Sequence, residues 1–388
     1  MRLDEALKRY RGIGPGFHFL RHALSLVILA HHCRVAVFGI TTETDATKGA
    51  LFKAGAPAHL THGQIVVELL RPGLFSLVGM FFALSGFLVI GSALRNPNVK
   101  VFFANRALRI LPALSVEVIL SVLVLGPMVT SIPLSAYFSS GQFFRYFGNI
   151  VGHVTFTLPG VFLKNPWPNM VNANLWTLPA EFWCYFFMLV LLVTGMVMRH
   201  KVLTVAIFSG LICALLLSAY DPFAFTIRAD STHYTPWFIV MMFMFGALFY
   251  INAKHVVLHP AVFALACAAY YLLTIFDVLG ALSGLFLTYI MVYIGMTAFP
   301  WFDKLLRLDL SYGTYLYGFP ITQAVIYFLL PHMPGLSPMA RFAIILPLVI
   351  GITLLFSTLS WHFIEKPTLS LRKHIIREPP RVVPATAN

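Results

Sequence analysis

Ten apolar runs follow one another along this sequence, at about 19–40, 72–94, 110–132, 176–198, 200–220, 234–252, 256–276, 278–298, 310–330 and 339–364. Each has about the 20 residues that an α-helix needs to cross the hydrocarbon of a bilayer. Of the 388 residues, 59% are hydrophobic and 11% are charged. Soluble proteins carry about 25% charged residues, so this chain cannot cover a water-facing surface, and a soluble enzyme is excluded. The runs predict an all-α fold: a polytopic membrane helix bundle of about ten transmembrane helices. Residues 1–367 are expected to form one integral membrane domain and 368–388 a disordered tail. Pro72, Pro112 and Pro179 fall near expected helix starts, where a missing N–H costs little. Pro320 and Pro347 fall mid-run and predict kinks.

The net charge of +13 comes from 27 Lys and Arg against 14 Asp and Glu. Eighteen of the 27 fall in the N-terminal segment, alternate linkers and C-terminal tail; six, including Lys48, Lys53, Arg71 and Arg228, fall in the opposite linkers. Because Lys and Arg mark the cytoplasmic side, both termini are expected in the cytoplasm of a multi-pass protein of the cell (inner) membrane. The positive charge is spread over linkers with no compact basic domain, which excludes a nucleic-acid partner. Cys33, Cys184, Cys213 and Cys267 lie inside apolar runs without CxxC spacing and read as small buried hydrophobes. The first run is too long for a signal-peptide core. No metal or bound cofactor is expected.

Two long linkers, at about 41–71 and 133–175, are expected on the outer side. The second is rich in aromatics and amides, among them Tyr137, Phe143, Asn165, Trp167, Asn172 and Asn174. Such side chains suit a sugar-facing surface, and they equally suit an interfacial aromatic belt.

Ionisable groups inside a membrane are costly and mark candidate sites. The first run carries Arg21, His22, Ser25, His31, His32 and Arg34. At about 100° per residue, Arg21, Ser25 and His32 share one helix face, with His31 turned away. The rise of about 1.5 Å per residue sets Arg21 about 16 Å from His32. The spacing suits a path entering from the cytoplasm with a base at its end, His32 taking a proton from a hydroxyl or carrying an acyl group. Arg106 and Arg109 project from one side of a helix end and suit phosphate oxygens; plain topology anchoring is the other reading. Glu117 and Glu181 are intramembrane carboxyls that need partners. Glu181, expected at the depth of His32, is a candidate to orient the imidazole or to act as a base.

Several segments together resemble the membrane acyltransferase-3 family. Arg21 and His32 match its Arg–ten residues–His signature, and Phe81-Phe82-Ala83-Leu84-Ser85-Gly86-Phe87-Leu88 resembles its FF-x-LSGFL run. Arg106 to Pro112 resembles its Arg-x-x-Arg segment, and Trp176-Thr177-Leu178-Pro179-Ala180-Glu181 its WSL-x-x-E segment. Ser311 to Pro320 is similar to an SY-x-x-YL-x-H-x-P helix, with Gly318 in the place of the histidine. Trp361 to Pro367 resembles the closing W-x-x-x-EKP.

The resemblance implies an integral membrane O-acyltransferase. Acyl-CoA, most simply acetyl-CoA, would be the donor substrate, its phosphates held by Arg106 and Arg109 with help from Arg21. His32 would activate the acceptor hydroxyl or relay the acyl group. The acceptor would be a cell-surface or exported saccharide, such as an exopolysaccharide or a lipid-linked sugar. Ser85 would line the acyl path or serve small-residue helix packing, and Ser311 would be an acceptor-side or packing residue. A transporter or flippase for a glycan or small anion is the alternative from another class; the inverted repeats that would favour it are not seen.

Overall fold

A computed structural model describes residues 1–39, 62–220, 236–276, 280–305 and 308–371, and among these residues the chain is helical, with no strands. Lys48, Lys53, Arg228 and the tail beyond 371 lie outside the described residues. A short N-terminal helix, α1 (Leu3–Arg9), precedes α2 (Phe17–Phe38) and α3 (His62–Arg95). Next comes α4 (Val99–Leu120), prolonged by a π-helical turn (Ser121–Leu125) and a last turn, Gly126–Val129. Two short helices, α5 (Leu134–Ser139) and α6 (Gly141–Tyr146), lead to a 3-10 turn (Ala173–Thr177) and α7 (Leu178–Val193). The rest comprises α8 (His200–Tyr220), α9 (Pro236–Ile251), α10 (Pro260–Ile275), α11 (Gly280–Met296), α12 (Pro300–Leu305), α13 (Ser311–Leu329) and α14 (Pro338–Ser360). A second π-helical turn, Trp361–Glu365, joins α14 to α15 (Lys366–Ser370).

Each of the ten apolar runs coincides with a helix. Among the described residues, five helical stretches are long and apolar enough to cross a membrane: Leu69–Arg95, Val99–Val129, Ala173–Val193, His200–Ser218 and Pro338–Ser370. Trp237–Ile251, Pro260–Ile275 and Gly280–Met296 are shorter apolar helices. The α2 and α13 helices are long but less apolar, because they carry histidine, arginine, tyrosine and amide side chains. Those are the helices on which the candidate site is built.

Two helix starts differ from expectation. Pro72 and Pro112 lie inside helices, not at their beginnings. The α4 helix begins at Val99 because Asn98 caps it, accepting from the N–H groups of Lys100 and Val101, as a good N-cap does. Around Pro72, tyrosines of α10 attend to helix carbonyls: Tyr270 donates to Pro72 O at 2.8 Å and Tyr271 to Leu69 O at 3.2 Å. Arg71, expected in an external loop, is therefore buried on α3 and donates to the carbonyl of Ile275 at 2.9 Å.

The main core surrounds the α3–α9 crossing, with Phe87, Phe243 and Phe245 fully buried. The crossing is close because each helix offers a glycine. A Cβ at Gly86 would run into the Phe243 carbonyl, and one at Gly246 into that of Ala83. The LSGFL segment is thus a packing element, the small-residue contact that lets membrane helices approach.

The α2 helix packs on α13 and α14. Arg21 meets Asp309, just before α13, while His32 meets Phe319 within it, so the two helices run parallel. The α14 helix runs back along α13, so that Gly313 lies against Ser357 and Gly318, further along α13, against the earlier Thr353. The start of α2 and the Trp361–Glu365 turn consequently share one end of the bundle.

Candidate active site

At that shared end lies an ionic cluster. Asp309, in the linker before α13, receives Arg109 Nη2 at 3.0 Å and Arg21 Nη1 at 3.3 Å on the same oxygen, Oδ2. Its other oxygen accepts from Ser311 Oγ at 2.7 Å. Burial pushes the Asp309 carboxyl up, but Arg109 and Arg21 more than offset this and hold it well below the usual carboxylate range. The backbone beside it is pinned: Leu310 N–H donates to His22 Nε2 at 3.0 Å, and His22 Nδ1 bonds His18 O at 2.9 Å. Since Nε2 accepts, Nδ1 carries the proton and the imidazole is neutral.

Arg106 stands three residues before Arg109 on α4 and stacks over the ring of Tyr185, 5.9 Å from its centroid. The Tyr185 hydroxyl donates to Glu181 Oε1 at 2.6 Å. Arg109 lies over Tyr312 at 5.8 Å. Glu365, buried in the closing π-helical turn, accepts from Ser360 at 3.2 Å and acts electrostatically on Arg109. Three guanidiniums and three carboxyls therefore meet at the end of the bundle that holds the start of α2.

Glu181 is a correction to depth. It was expected beside His32, but it lies among the arginines, with Arg106 and Arg109 as its charged neighbours. The reason is that α7 and the turn before it run inward from Asn174, so seven residues of helix carry Glu181 about 10 Å toward the arginines. Ser311, named as an acceptor-side or packing residue, donates to Asp309 in this cluster. Ser25 shares the α2 face with Arg21, but it is buried and bonds its own helix at His22 O. Ser85 is half-buried, and its hydroxyl has no hydrogen-bond partner among the described residues.

His32 lies at the other end of the path. Its ring meets Phe319 edge-on at 5.5 Å and Trp167 at 6.4 Å. Its polar neighbours are His31, 5.8 Å away between ring centroids, and the Asn174 amide. The Nδ1 atoms of His31 and His32 and the Oδ1 of Asn174 are buried without hydrogen-bond partners among the described residues. A substrate hydroxyl arriving there would find an unengaged imidazole nitrogen. Gly318 lies close by, against Leu29 of α2, where a Cβ would already crowd Leu29. A histidine at this position could not be accommodated without moving that side chain.

The segment before α7 is locked onto α13. Asn165 donates to Gln323 O and Oε1, each at 2.9 Å, and Gln323 donates to the carbonyls of Trp167 and Met170, each at 2.8 Å. Asn172 bonds Leu316 O at 3.0 Å, and Asn174 bonds Tyr315 O. The amides expected to face a sugar or the interface instead fasten this segment to the bundle, satisfying backbone groups that have no water available. Tyr137 and Phe143 are buried too.

Asn172 also donates to Glu117 Oε1 at 2.9 Å, and Ser121 does the same from α4. Glu117 is thus bonded to Asn172, two residues before the Asn174 that neighbours His32. It lies in a groove of about 470 Å³ between α4, α13 and α14, whose other lining is almost wholly apolar.

Asp309 and Glu365 were not singled out in the sequence, and Asn174 was named only among the linker amides. Glu365 stood in a matched segment, and Asp309 lies two residues before Ser311, the first residue of another matched segment, which are faint signals.

An acyltransferase domain model, that of the acyltransferase-3 family, matches residues 17–358, from the first residue of α2 almost to the end of α14. The chain belongs to the acyltransferase-3 family. An "O-acetyl transferase" of Shigella phage Sf6 is 29% identical over 324 residues, covering 75% of this chain and 84% of that protein. "Nodulation protein 10" of Rhizobium leguminosarum bv. viciae is 26% identical over 344 residues, covering 81% and 87%. No solved structure matches the chain. Family membership decides for group transfer over transport: this is a membrane acyltransferase.

Proposed function

We propose that the chain is a multi-pass O-acetyltransferase of the cell (inner) membrane. It takes an acetyl group from cytoplasmic acetyl-CoA and places it on a hydroxyl of an exported or cell-surface saccharide. The observation that carries this reading is the layout of α2. Arg21 enters the arginine cluster at one end, and about 16 Å along the same helix His32 presents an unengaged Nδ1 beside Asn174. A donor's phosphates would meet Arg21, Arg106 and Arg109, and an acceptor would reach His32 from the opposite side. The name of the Shigella phage relative supports the acetyl group.

Ten membrane crossings with both termini cytoplasmic fit the ten helices, the shared end of the start of α2 and the closing turn, and the split of positive residues, 18 against five once Arg71 is counted within α3. Residues 1–367 would be the acyltransferase domain and 368–388 its cytoplasmic tail.

The chemistry is balanced by one proton. Attack of the acceptor oxygen on the thioester carbonyl forms the ester and releases CoA as its thiol. The hydroxyl proton, taken first by His32, ends on the CoA sulfur. His31 stands beside the base, and Glu117 supports the segment that faces it through Asn172. The test is mass spectrometry of surface glycans from a deletion strain and the same strain carrying the gene. Gain of one acetyl mass on a sugar residue is expected. Identical glycans in both would defeat the reading.

A further inference from the structure

Two guanidiniums brought together from α2 and α4 repel one another, so something must hold Arg21 and Arg109 side by side. One atom does so. Asp309 Oδ2 lies 3.0 Å from Arg109 Nη2 and 3.3 Å from Arg21 Nη1. The carboxylate is itself fixed, by Ser311 on Oδ1 and by the Leu310 N–H bound to His22 of α2. It also precedes the N-terminus of α13, a helix of 19 residues, where the helix dipole favours an anion.

The grip is partial. Each guanidinium carries five N–H donors, and each uses one nitrogen on Asp309. Arg21 Nε is buried without a hydrogen-bond partner among the described residues. Such an atom costs free energy unless a ligand satisfies it. An anion bearing several oxygens, as a phosphate does, can take up the remaining donors while Asp309 keeps the two side chains parallel.

We propose that Asp309 is the positioning residue of the donor-phosphate site, aligning Arg21 and Arg109 so that their free N–H groups converge on one phosphate. The role rests on acetyl-CoA being the donor.

The test uses the full chain in proteoliposomes, with acetyl-CoA as donor for kinetics and CoA as probe for equilibrium binding. Asp309→Asn keeps the shape and removes the charge. It should raise the donor KM and the CoA Kd about tenfold, the scale of one charge-assisted hydrogen bond. The kcat at saturating donor and the acceptor KM should stay near wild type. Asp309→Glu should recover most of the CoA affinity, which a merely structural defect would not. A fall in kcat at unchanged donor KM would overturn the proposal, as would tighter CoA binding by Asp309→Asn, which would make Asp309 a competitor of the phosphate. If Asp309→Asn does not fold, Ser311→Ala takes its place: it frees Oδ1 and leaves both ion pairs, and it should weaken CoA binding by about threefold, a fraction of one hydrogen bond. Unchanged CoA binding in Ser311→Ala would then overturn the proposal. Wild-type protein showing no saturable acetyl-CoA dependence would instead remove the donor reading, and this role with it.

Discussion

Asn165 and Gln323, 158 residues apart in sequence, are joined by two hydrogen bonds from one amide nitrogen: Asn165 Nδ2 donates to the Gln323 backbone and side-chain oxygens at 2.9 Å each. Gln323 in turn holds the carbonyls of Trp167 and Met170. Because Trp167 and Asn174 are neighbours of His32, this latch sets one wall of the candidate site.

Gln323→Ala should therefore loosen the wall without touching the arginines. A buried polar group left unpaired costs about 1–3 kcal/mol, and the substitution strands the Trp167 and Met170 carbonyls and leaves Asn165 only its bond to the backbone oxygen of residue 323. Thermal unfolding in detergent should show a lower midpoint. Proteoliposome kinetics should show reduced kcat with an unchanged donor KM. A raised donor KM with intact kcat would mean that the segment serves the donor end instead.

His32→Ala should lower kcat/KM by about 10²–10⁴-fold, the usual contribution of a general base, while the protein remains folded in the membrane. The assay is acetylation of surface glycans in a deletion strain complemented with the variant, with protein level measured alongside. Normal acetylation by the variant would take His32 out of the mechanism and move attention to His31, its ring neighbour.

Much of this was readable before any coordinates. Helices follow from hydropathy because a bilayer leaves the backbone few alternatives, and the face shared by Arg21 and His32 follows from the helix period. Both residues do turn toward α13 and the linker before it. Partner choice was not readable. Glu181 was placed by its rank along α7, but its depth depends on how α7 is seated against α4. Asp309 has no periodic neighbour to mark it, since it stands in a linker and its partners come from α2 and α4. The loop amides looked like ligands for a sugar because composition records which groups can bond, not which carbonyls lie opposite.

Arg106 and Arg109 should separate under substitution, although three residues apart. Arg106 stacks on Tyr185 and pairs with no carboxylate within ion-pair distance among the described residues. Arg106→Gln should raise the acetyl-CoA KM by about 10-fold or more, as expected for a lost bond to a charged group, with little loss of stability. Arg109→Gln should raise the same KM and also destabilise the fold by on the order of 3 kcal/mol, because it strips the closer partner from a largely buried carboxylate. Acceptor KM should hold in both. Equal rises for donor and acceptor would argue against a phosphate contact.

The pH dependence of donor binding follows from Asp309. Its carboxyl is held well below the usual carboxylate range by Arg109 and Arg21 against the opposing effect of burial. A group whose folded pKa is depressed contributes stability that is fully present above its unfolded value, about 3.9 for Asp, and lost as pH falls through the folded value. The Arg21–Asp309–Arg109 bridge should therefore stay closed across neutral and mildly acidic pH. Because a phosphomonoester such as that of CoA itself gains a proton near pH 6, the readout is the ratio of the Asp309→Asn Kd for CoA to the wild-type Kd, which should be flat from about pH 5 to pH 8, a window above the carboxylate range. The ratio should stay above one throughout, Asp309→Asn being the weaker binder. A ratio that collapses toward one as pH is lowered from 7 to 5 would show that Asp309 takes up a proton in that window and that this bridge does not hold the arginine cluster.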